Sequence, residues 1–319
     1  MVTIDLITGF LGSGKTTFLK KYAEYLMDQG LHIGILENDF GAINVDMLML
    51  HELRGDQCEL EMIAGGCDAE SHRRRFRTKL ISMRMCGYDR VLVEPSGIYD
   101  VDEFFDVLRE EPLDQWYEIG NVIAILDARL ENNLSQQADY LLASEAANAG
   151  KVILSHADAA TREQCEDTVA HLNRALEQIR CDRRIDSKKD ILQKNLTDLT
   201  KEDLEEVSKC GYRLESYRKM DLENDQTFDS LFFMEEKITS EALERAVPRL
   251  FADKSCGEVF RIKGFVKNKD RQWMELNATH DSRTLEPIAV GQEVLIVIGE
   301  HLQEDKIREI LKEEETCQS

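Results

Sequence analysis

The sequence of 319 residues predicts an α/β protein with a mainly parallel sheet, followed by a small α+β domain. Apolar runs alternate with helical patterns through the first half, which is typical of a parallel sheet covered by helices. These runs are continuously hydrophobic, as strands buried on both faces require. A second pattern of elements begins near Phe228. We therefore expect two domains, at residues 1–222 and 228–319.

Each element follows from the spacing of apolar residues. The strands predicted in the first domain are 2–7, 33–36, 90–93, 122–126 and 152–154. The helices predicted there are 16–29, 73–85, 102–109, 136–147 and 161–172. The highly charged segment 182–224 predicts surface helices and a linker. The second domain is predicted to contain helices 240–250 and 304–312, with strands at 258–266, 273–278 and 293–298.

The most informative motif is GFLGSGKTT at residues 9–17, between the first strand and the first helix. Its glycines let several backbone N–H groups point at one anion, and the helix N-terminus adds partial positive charge. A turn that merely joins strand to helix has no need for Lys-Thr after the last glycine. The motif therefore predicts a P-loop NTPase domain. The residues expected to bind nucleotide are Gly12, Ser13, Gly14, Lys15, Thr16 and Thr17.

Metal and catalytic roles follow from the same motif. Lys15 is expected to reach the β- and γ-phosphates, and the Thr16 hydroxyl is expected to bind Mg²⁺. Glu94 ends an apolar strand, and ligands bind at the carboxyl ends of strands in open α/β sheets. We expect Glu94 to face Mg²⁺ directly or through water. The Gly97 N–H is expected to approach the γ-phosphate, because no side chain blocks it.

A second acidic loop follows the strand at residues 33–36, where Glu37 and Asp39 precede Gly41. Such a loop beside the phosphates can contact Mg²⁺, order the attacking water or bind another metal. Glu37 and Asp39 are therefore candidate catalytic residues. The alternative is a solvated loop without a role in chemistry.

Base recognition is predicted at residues 155–158, directly after the strand 152–154. A carboxylate there accepts hydrogen bonds from guanine N1–H and the exocyclic amine, which adenine does not offer in that arrangement. Asp158 is the candidate for this role, and His156 is a candidate to stack on the base. Ser155 and His156 replace the Asn/Thr-Lys pair common in GTPases, so guanine preference is expected to be weakened. The alternative is that Asp158 caps the helix at 161–172.

The charge and composition of the chain limit the kinds of partner and compartment that we expect. The formal net charge of -22 disfavours nucleic acid as a partner. The N-terminus enters a strand at once, and no apolar run is long enough to span a bilayer. The eight cysteines contain no Cys-x-x-Cys pair, which indicates reduced thiols. We therefore expect a cytoplasmic protein without a membrane partner.

Taken together, these motifs resemble those of the CobW-like GTPases, within the P-loop group of metallocentre-assembly GTPases. The matching segments span nearly the whole chain and are GFLGSGKTTFL (9–19), ENDFG (37–41), GGC (65–67), VEPSG (93–97), FRIKGFV (260–266) and VLIVIGEHL (294–302). The resemblance implies GTP hydrolysis with Mg²⁺, coupled to handling of a transition metal or to its delivery to a client protein.

The chain departs from the family at its Cys-x-Cys-Cys motif, where only Cys67 remains. Ala69 and Glu70 occupy the positions of the other thiolates. Cys67, Glu70 and Glu37, with His72 as a further candidate, define a mixed site for Zn²⁺ or Co²⁺ that is weaker than a three-thiolate site. The alternative is that Cys67 is a small buried hydrophobe.

A basic run, His72 to Arg77, stands out in this acidic chain. It is a candidate docking surface for an acidic partner, or a source of charge for the phosphates. The alternative is a solvated helix face paired with nearby acids.

These inferences define a slow GTPase coupled to metal or metallocofactor-protein assembly. No arginine finger is evident, so a client or a homodimer contact is expected to complete the site. Two alternatives remain, a conformational chaperone for a cofactor protein without metal cargo and a non-catalytic nucleotide-binding module.

Overall fold

The computed structural model describes residues 1–10, 12–39, 50–64, 69–95, 101–130, 134–219, 229–234, 238–280, 283–288, 291 and 293–316. The chain divides into two compact units, Met1–Met220 and Asp221–Ser319. No helix within the described ranges has the length and apolarity needed to cross a membrane.

The first unit is built on a seven-stranded sheet with the strand order β3-β2-β4-β1-β5-β6-β7. Every described strand pair in it is parallel. The strands are β1 (Val2–Thr8), β2 (Ile33–Asp39), β3 (Cys58–Ala64), β4 (Arg90–Pro95), β5 (Tyr117–Asp127), β6 (Lys151–Ser155) and β7 (Ile191–Gln193). The predicted α/β class with a mainly parallel sheet is confirmed.

Helices connect these strands. They are α1 (Lys15–Asp28), α2 (Ala69–Met83), α3 (Val101–Leu108), α4 (Leu113–Trp116), α5 (Gln136–Ala147), α6 (Arg162–Gln178) and α7 (Lys201–Val207). One core lies against α1, where Phe18, Tyr22 and Leu26 pack on the sheet. Neighbouring strand residues that point the other way, such as Leu6 and Val93, are also fully buried. Burial on both faces explains the continuous apolar runs.

The second unit contains a five-stranded antiparallel sheet with the order β11-β10-β9-β12-β8. Its strands are β8 (Asp229–Met234), β9 (Glu258–Lys267), β10 (Trp273–Thr279), β11 (Arg283–Pro287) and β12 (Val294–Glu300). Helices α8 (Ser240–Ala252) and α9 (Glu304–Thr316) pack on its apolar face. Glu314 joins the helices through Arg249 at 2.6 Å and Arg245 at 3.1 Å. This unit is the predicted α+β domain.

The structure differs from the sequence prediction in two respects. It contains four strands that the prediction lacks, namely β3, β7, β8 and β11. The described part of segment 182–224 is also more than a linker, because Leu204 and Val207 of α7 are buried in the core against α1. Because segment 182–224 is highly charged and has few apolar positions, its sequence did not indicate that one face of α7 is packed in the core.

Candidate nucleotide site

The loop between β1 and α1 needs glycine for steric reasons. Gly14, which precedes α1, has φ 95°, in the left-handed region. A Cβ at Gly14 would lie 2.7 Å from Leu196 Cδ1, and one at Gly9 would lie 2.1 Å from the Ile125 carbonyl oxygen. A side chain at Gly9 would therefore collide with the β5 backbone, and one at Gly14 would push Leu196 aside and strain the left-handed backbone. Leu11 lies outside the described residues.

Lys15 begins α1 and is buried, with 7% of its surface exposed. Its ammonium group donates to the carbonyl oxygens of Gly9 at 2.8 Å and Phe10 at 3.5 Å. Ser13 is buried beside it, and its N–H donates to the Phe10 carbonyl at 3.2 Å. The loop thus surrounds a fixed positive charge with main-chain groups. Thr17 follows on the exposed side of the helix.

Thr16 and Glu94 meet, as the sequence predicts. The Thr16 hydroxyl donates to Glu94 Oε1 at 2.8 Å, and both residues are buried. The contact joins the first turn of α1 to the end of β4, across 78 residues of sequence. Hydroxyl and carboxylate oxygens are the donors that Mg²⁺ prefers, so this pair fits a magnesium ion.

Glu37 lies beside Glu94 at the same end of the sheet. The two residues are register partners on the parallel strands β2 and β4, and 3% and 4% of their surfaces are exposed. Two carboxylates side by side create an acidic corner next to Lys15 and Thr16. Asp39 is the last residue of β2, but its side chain lies outside the described part of the chain, as does Gly97.

The loop after β6 holds its histidine in a specific way. His156 has φ 52°, and its Nδ1 lies 2.9 Å from Asp127 Oδ2 at the end of β5. Burial acts to raise the pKa of Asp127, but hydrogen bonds from His156 and Arg129 outweigh it and lower that pKa to about 2. Sequence analysis missed Asp127, although a carboxylate ending a buried strand is the signal that identified Glu94.

Asp158 is exposed in the same loop, and it is not the cap of α6. Thr161 is the cap, because its hydroxyl accepts from the Gln164 N–H while the Gln164 side chain accepts from the Thr161 N–H. The alternative role of Asp158 as a helix cap is therefore wrong. Its carboxylate is not used to start the helix.

A second acidic residue that the sequence analysis missed is Glu145, on α5. It is fully buried, and neither carboxylate oxygen has a hydrogen-bond partner within the described residues. Burial raises the pKa of Glu145 to about 8, and the charge of Lys15 opposes that rise. Glu145 belongs to no motif that sequence analysis recognises.

The predicted second metal site is not assembled by the described residues. The carboxylate of Glu70 is exposed and pairs with Arg74 at 3.0 Å. His72 is buried, with Nδ1 3.4 Å from Glu103 Oε1. Across the ranges that the structure describes, no group of three or more His, Cys, Asp or Glu side chains is arranged to hold a metal. Cys67 lies outside those ranges.

The basic run on α2 is largely paired with acids. Arg73 lies 2.7 Å from Glu110, and Arg77 lies 3.0 Å from the same carboxylate. For these two side chains, the structure agrees with the alternative of a helix face paired with nearby acids. Arg74 and Arg75 occupy another part of the helix surface.

Each of the two units contains a match to a known protein family. Residues 3–186 match the family described as CobW/HypB/UreG, nucleotide-binding domain. Residues 229–314 match the cobalamin synthesis protein CobW C-terminal domain.

Two curated relatives come from Escherichia coli (strain K12). The zinc chaperone YjiA is 29% identical over 54% of this chain and 55% of its own length, and the zinc chaperone YeiR is 28% identical over 51% and 49%. The chain thus spans about half the length of the curated relatives it matches. Among solved structures, Zn(II)-bound YjiA GTPase from E. coli aligns with 98% of each chain at 16% identity and a TM-score of 0.38.

Proposed function

This chain belongs to the CobW/HypB/UreG family, and from that premise we propose that it binds GTP with Mg²⁺, hydrolyses it slowly and couples hydrolysis to metal or metallocofactor-protein assembly. The observation that carries the proposal is the 2.8 Å hydrogen bond between Thr16 and Glu94, beside the buried ammonium group of Lys15. It joins the phosphate loop to the strand end that ligands contact in such sheets.

The residues of the nucleotide site have separate tasks in GTP binding and hydrolysis. Lys15 neutralises charge on the β- and γ-phosphates, which the loop N–H groups of Gly12, Ser13 and Gly14 also bind. Thr16 and Glu94 would hold Mg²⁺, which would supply positive charge to offset the charge that develops on the phosphates. Glu37 and Asp39 are the residues that would order the attacking water.

Asp158 gives the site its preference for guanine. Its exposed carboxylate is not engaged in capping α6, which supports a role in accepting from the base. The contact of His156 with Asp127 fixes the position of the imidazole ring in the loop that carries Asp158. We expect GTP to bind more tightly than ATP, by a smaller factor than a complete Asn-Lys-x-Asp loop provides.

The second part of the proposal concerns metal handling. The two curated relatives are called zinc chaperones, and Cys67 with Glu37 is the remaining donor set for Zn²⁺ or Co²⁺. The loss of two thiolates and the ion pair between Glu70 and Arg74 favour weak binding. A conformational chaperone without metal cargo is the second candidate, and the same observations favour it. In either case the partner is a client metalloprotein or cofactor protein in the cytoplasm.

The nucleotide site is tested by measuring GTP affinity and the rate of phosphate release for the Lys15→Ala variant. Removing a charge-assisted contact costs about 1.5–3 kcal/mol, so affinity for GTP should fall about tenfold or more. Lys20→Ala is the matched control, since Lys20 lies on the same helix and pairs with Glu52 near the surface. Equal affinity and turnover in the Lys15 variant and its control would remove the loop from the mechanism. Absence of turnover in the parent would favour a non-catalytic module.

The test of metal handling is titration with Zn²⁺ and Co²⁺ in the GDP- and GTP-bound states. We expect weak binding that depends on Cys67 and changes with the nucleotide if Glu37 contributes. Cys86→Ala is the control for Cys67→Ala, because Cys86 is an exposed free thiol. Tight binding that survives Cys67→Ala would place the site elsewhere. No binding in either state would favour the chaperone without metal cargo.

A further inference from the structure

An open groove lies between β3 and α2, and its residues are distant in sequence from the nucleotide loop. Its volume is about 460 Å³. Met62 and Ile63 of β3 form its strand side, and Arg74, Arg75 and Lys79 lie along its helix side. Met62 has 37% of its surface exposed, so apolar surface is accessible on the edge strand. The groove therefore combines apolar contact area with cationic side chains.

The strand that borders this groove is the edge of the seven-stranded sheet. β3 pairs with β2 on one side. On its outer side, Cys58 exchanges hydrogen bonds with Gly55 in a turn, and no other backbone bond is made there within the described residues. Such an edge offers a row of N–H and C=O groups to an incoming strand. Adding a strand to such an edge is a recurring mode of peptide recognition.

The helix that borders the groove is strongly basic in an acidic protein. The net charge of the whole chain is -22. Within α2 the only acidic residue is Glu70, whereas the basic ones are Arg73, Arg74, Arg75, Arg77 and Lys79. The Arg74–Glu70 pair is exposed, with 74% and 83% of the side chains accessible, so it is worth little and is easily exchanged. Lys79 pairs with Glu61 of β3 at 2.8 Å.

We propose that the groove between β3 and α2 binds an extended, acidic segment of a protein partner. The segment adds as a strand to the outer edge of β3, while its carboxylates contact Arg74, Arg75 and Lys79. Met62, which is partly exposed, provides apolar contact for alternate side chains of the segment, whereas Ile63 is 4% exposed and already covered. That this partner is the client rests on the proposed function, whereas peptide binding at the groove does not.

Two features favour a peptide over a nucleic acid. A strand edge pairs with another backbone of alternating donors and acceptors, which a sugar-phosphate chain lacks. The overall negative charge also repels a polyphosphate at distances beyond the groove. Nucleic acid is therefore an outcome that would contradict the proposal.

The experiment uses the full chain and a fluorescein-labelled synthetic peptide of ten residues in which Glu alternates with Val. Fluorescence anisotropy should detect binding that weakens as salt is added. The double substitution Arg74→Glu, Arg75→Glu should reduce affinity by about tenfold or more, since it replaces attraction by repulsion. Arg162→Glu is the control, because Arg162 is an exposed arginine on α6.

Backbone pairing is tested by two further peptides, each N-methylated on one of the two alternating sets of backbone nitrogens. A strand edge uses only one set, so one methylated peptide should lose binding and the other should retain it. Equal effects of both peptides would rule out strand addition. Equal binding of a peptide that alternates Lys with Val, or displacement by single-stranded DNA at equal concentration, would rule out recognition of an acidic peptide.

The assay also separates this proposal from the nucleotide function. The Arg74→Glu, Arg75→Glu variant should bind and hydrolyse GTP as the parent does. If no acidic peptide binds while hydrolysis continues, the groove proposal fails and the function stands. If the peptide binds as expected but the chain does not hydrolyse GTP, the groove stands and the proposed function fails.

Discussion

At the scale of single residues, Glu145 is a buried acid whose protonation is coupled to folding. Its carboxyl group is fully buried, without a hydrogen-bond partner within the described residues. Burial raises its pKa to about 8 from 4.5, against the opposing charge of Lys15. The folded chain therefore holds a proton on Glu145 at neutral pH that the unfolded chain releases.

This proton uptake predicts a pH dependence of stability. Between pH 4.5 and about 8 the Glu145 carboxyl binds more protons in the folded state than in the unfolded state, so its contribution to the free energy of unfolding falls as pH rises through this window. Glu145→Gln, which is neutral at every pH, should remove that fall. Relative to the parent, the variant should gain stability on the order of 3 kcal/mol between pH 5 and pH 8.

The measurement is urea unfolding of both proteins at several pH values. Glu163→Gln is the matched control, because Glu163 is an exposed acid in the first turn of α6. The two variants should diverge as pH rises. A stability difference between parent and Glu145→Gln that stays constant with pH would show that Glu145 remains ionised in the folded chain.

The site was predictable from sequence where a motif fixes the geometry. The phosphate loop fixes Lys15 and Thr16, and a strand that ends in a carboxylate brings Glu94 to Thr16. Glu145 was not predictable, because its burial and its electrostatic interaction with Lys15 depend on how α5 packs. The ion pair of Glu70 with Arg74 likewise depends on the helical spacing of four residues, which the motif alone does not reveal.

At the scale of elements, long buried strands were predicted and edge strands were not. β1 and β6 are buried along almost their whole length, and most of their residues are apolar. β3 reads CELEMIA and lies at a sheet edge, where Glu59 and Met62 are exposed while Cys58 and Ile63 are buried. β11 reads RTLEP and is also an edge strand. Edge strands tolerate charged residues, and this removes the apolar signal.

The start of α6 gives a second prediction. Thr161 and Gln164 form a reciprocal capping box there. Thr161→Ala should lower stability by about 1 kcal/mol, since it leaves backbone donors of the first turn without their partner. For a unit of this size that corresponds to a fall in Tm of roughly 2–4 °C. Thermal unfolding followed by circular dichroism measures it.

Asp158→Ala is the paired variant for this test. It should leave Tm unchanged, because Asp158 makes no cap, and it should reduce the preference for GTP over ATP in a competition assay. A loss of stability equal to that of Thr161→Ala would return Asp158 to a structural role. An unchanged base preference would remove it from base recognition.

At the scale of the whole molecule, each unit has its own core. The first unit buries a cluster around α1 that includes Phe18, Tyr22 and Val207. The second buries a separate cluster that includes Phe233, Leu243 and Ile307. A unit with its own sheet, helices and core has what it needs to fold alone. Each family match also falls within one unit, at residues 3–186 and 229–314.

We therefore predict that residues 1–220 fold and bind GTP without the rest of the chain. α7 must be included, because Leu204 and Val207 fill the core behind α1, the helix that begins at Lys15. A shorter piece that ends at residue 186 would expose that core and leave Phe18 and Tyr22 partly uncovered. It should be markedly less stable, and large apolar groups lost from a core typically cost several kcal/mol. Circular dichroism and binding of a fluorescent GTP analogue would compare the two pieces with the full chain. Equal stability of both pieces would show that segment 187–220 is a linker after all.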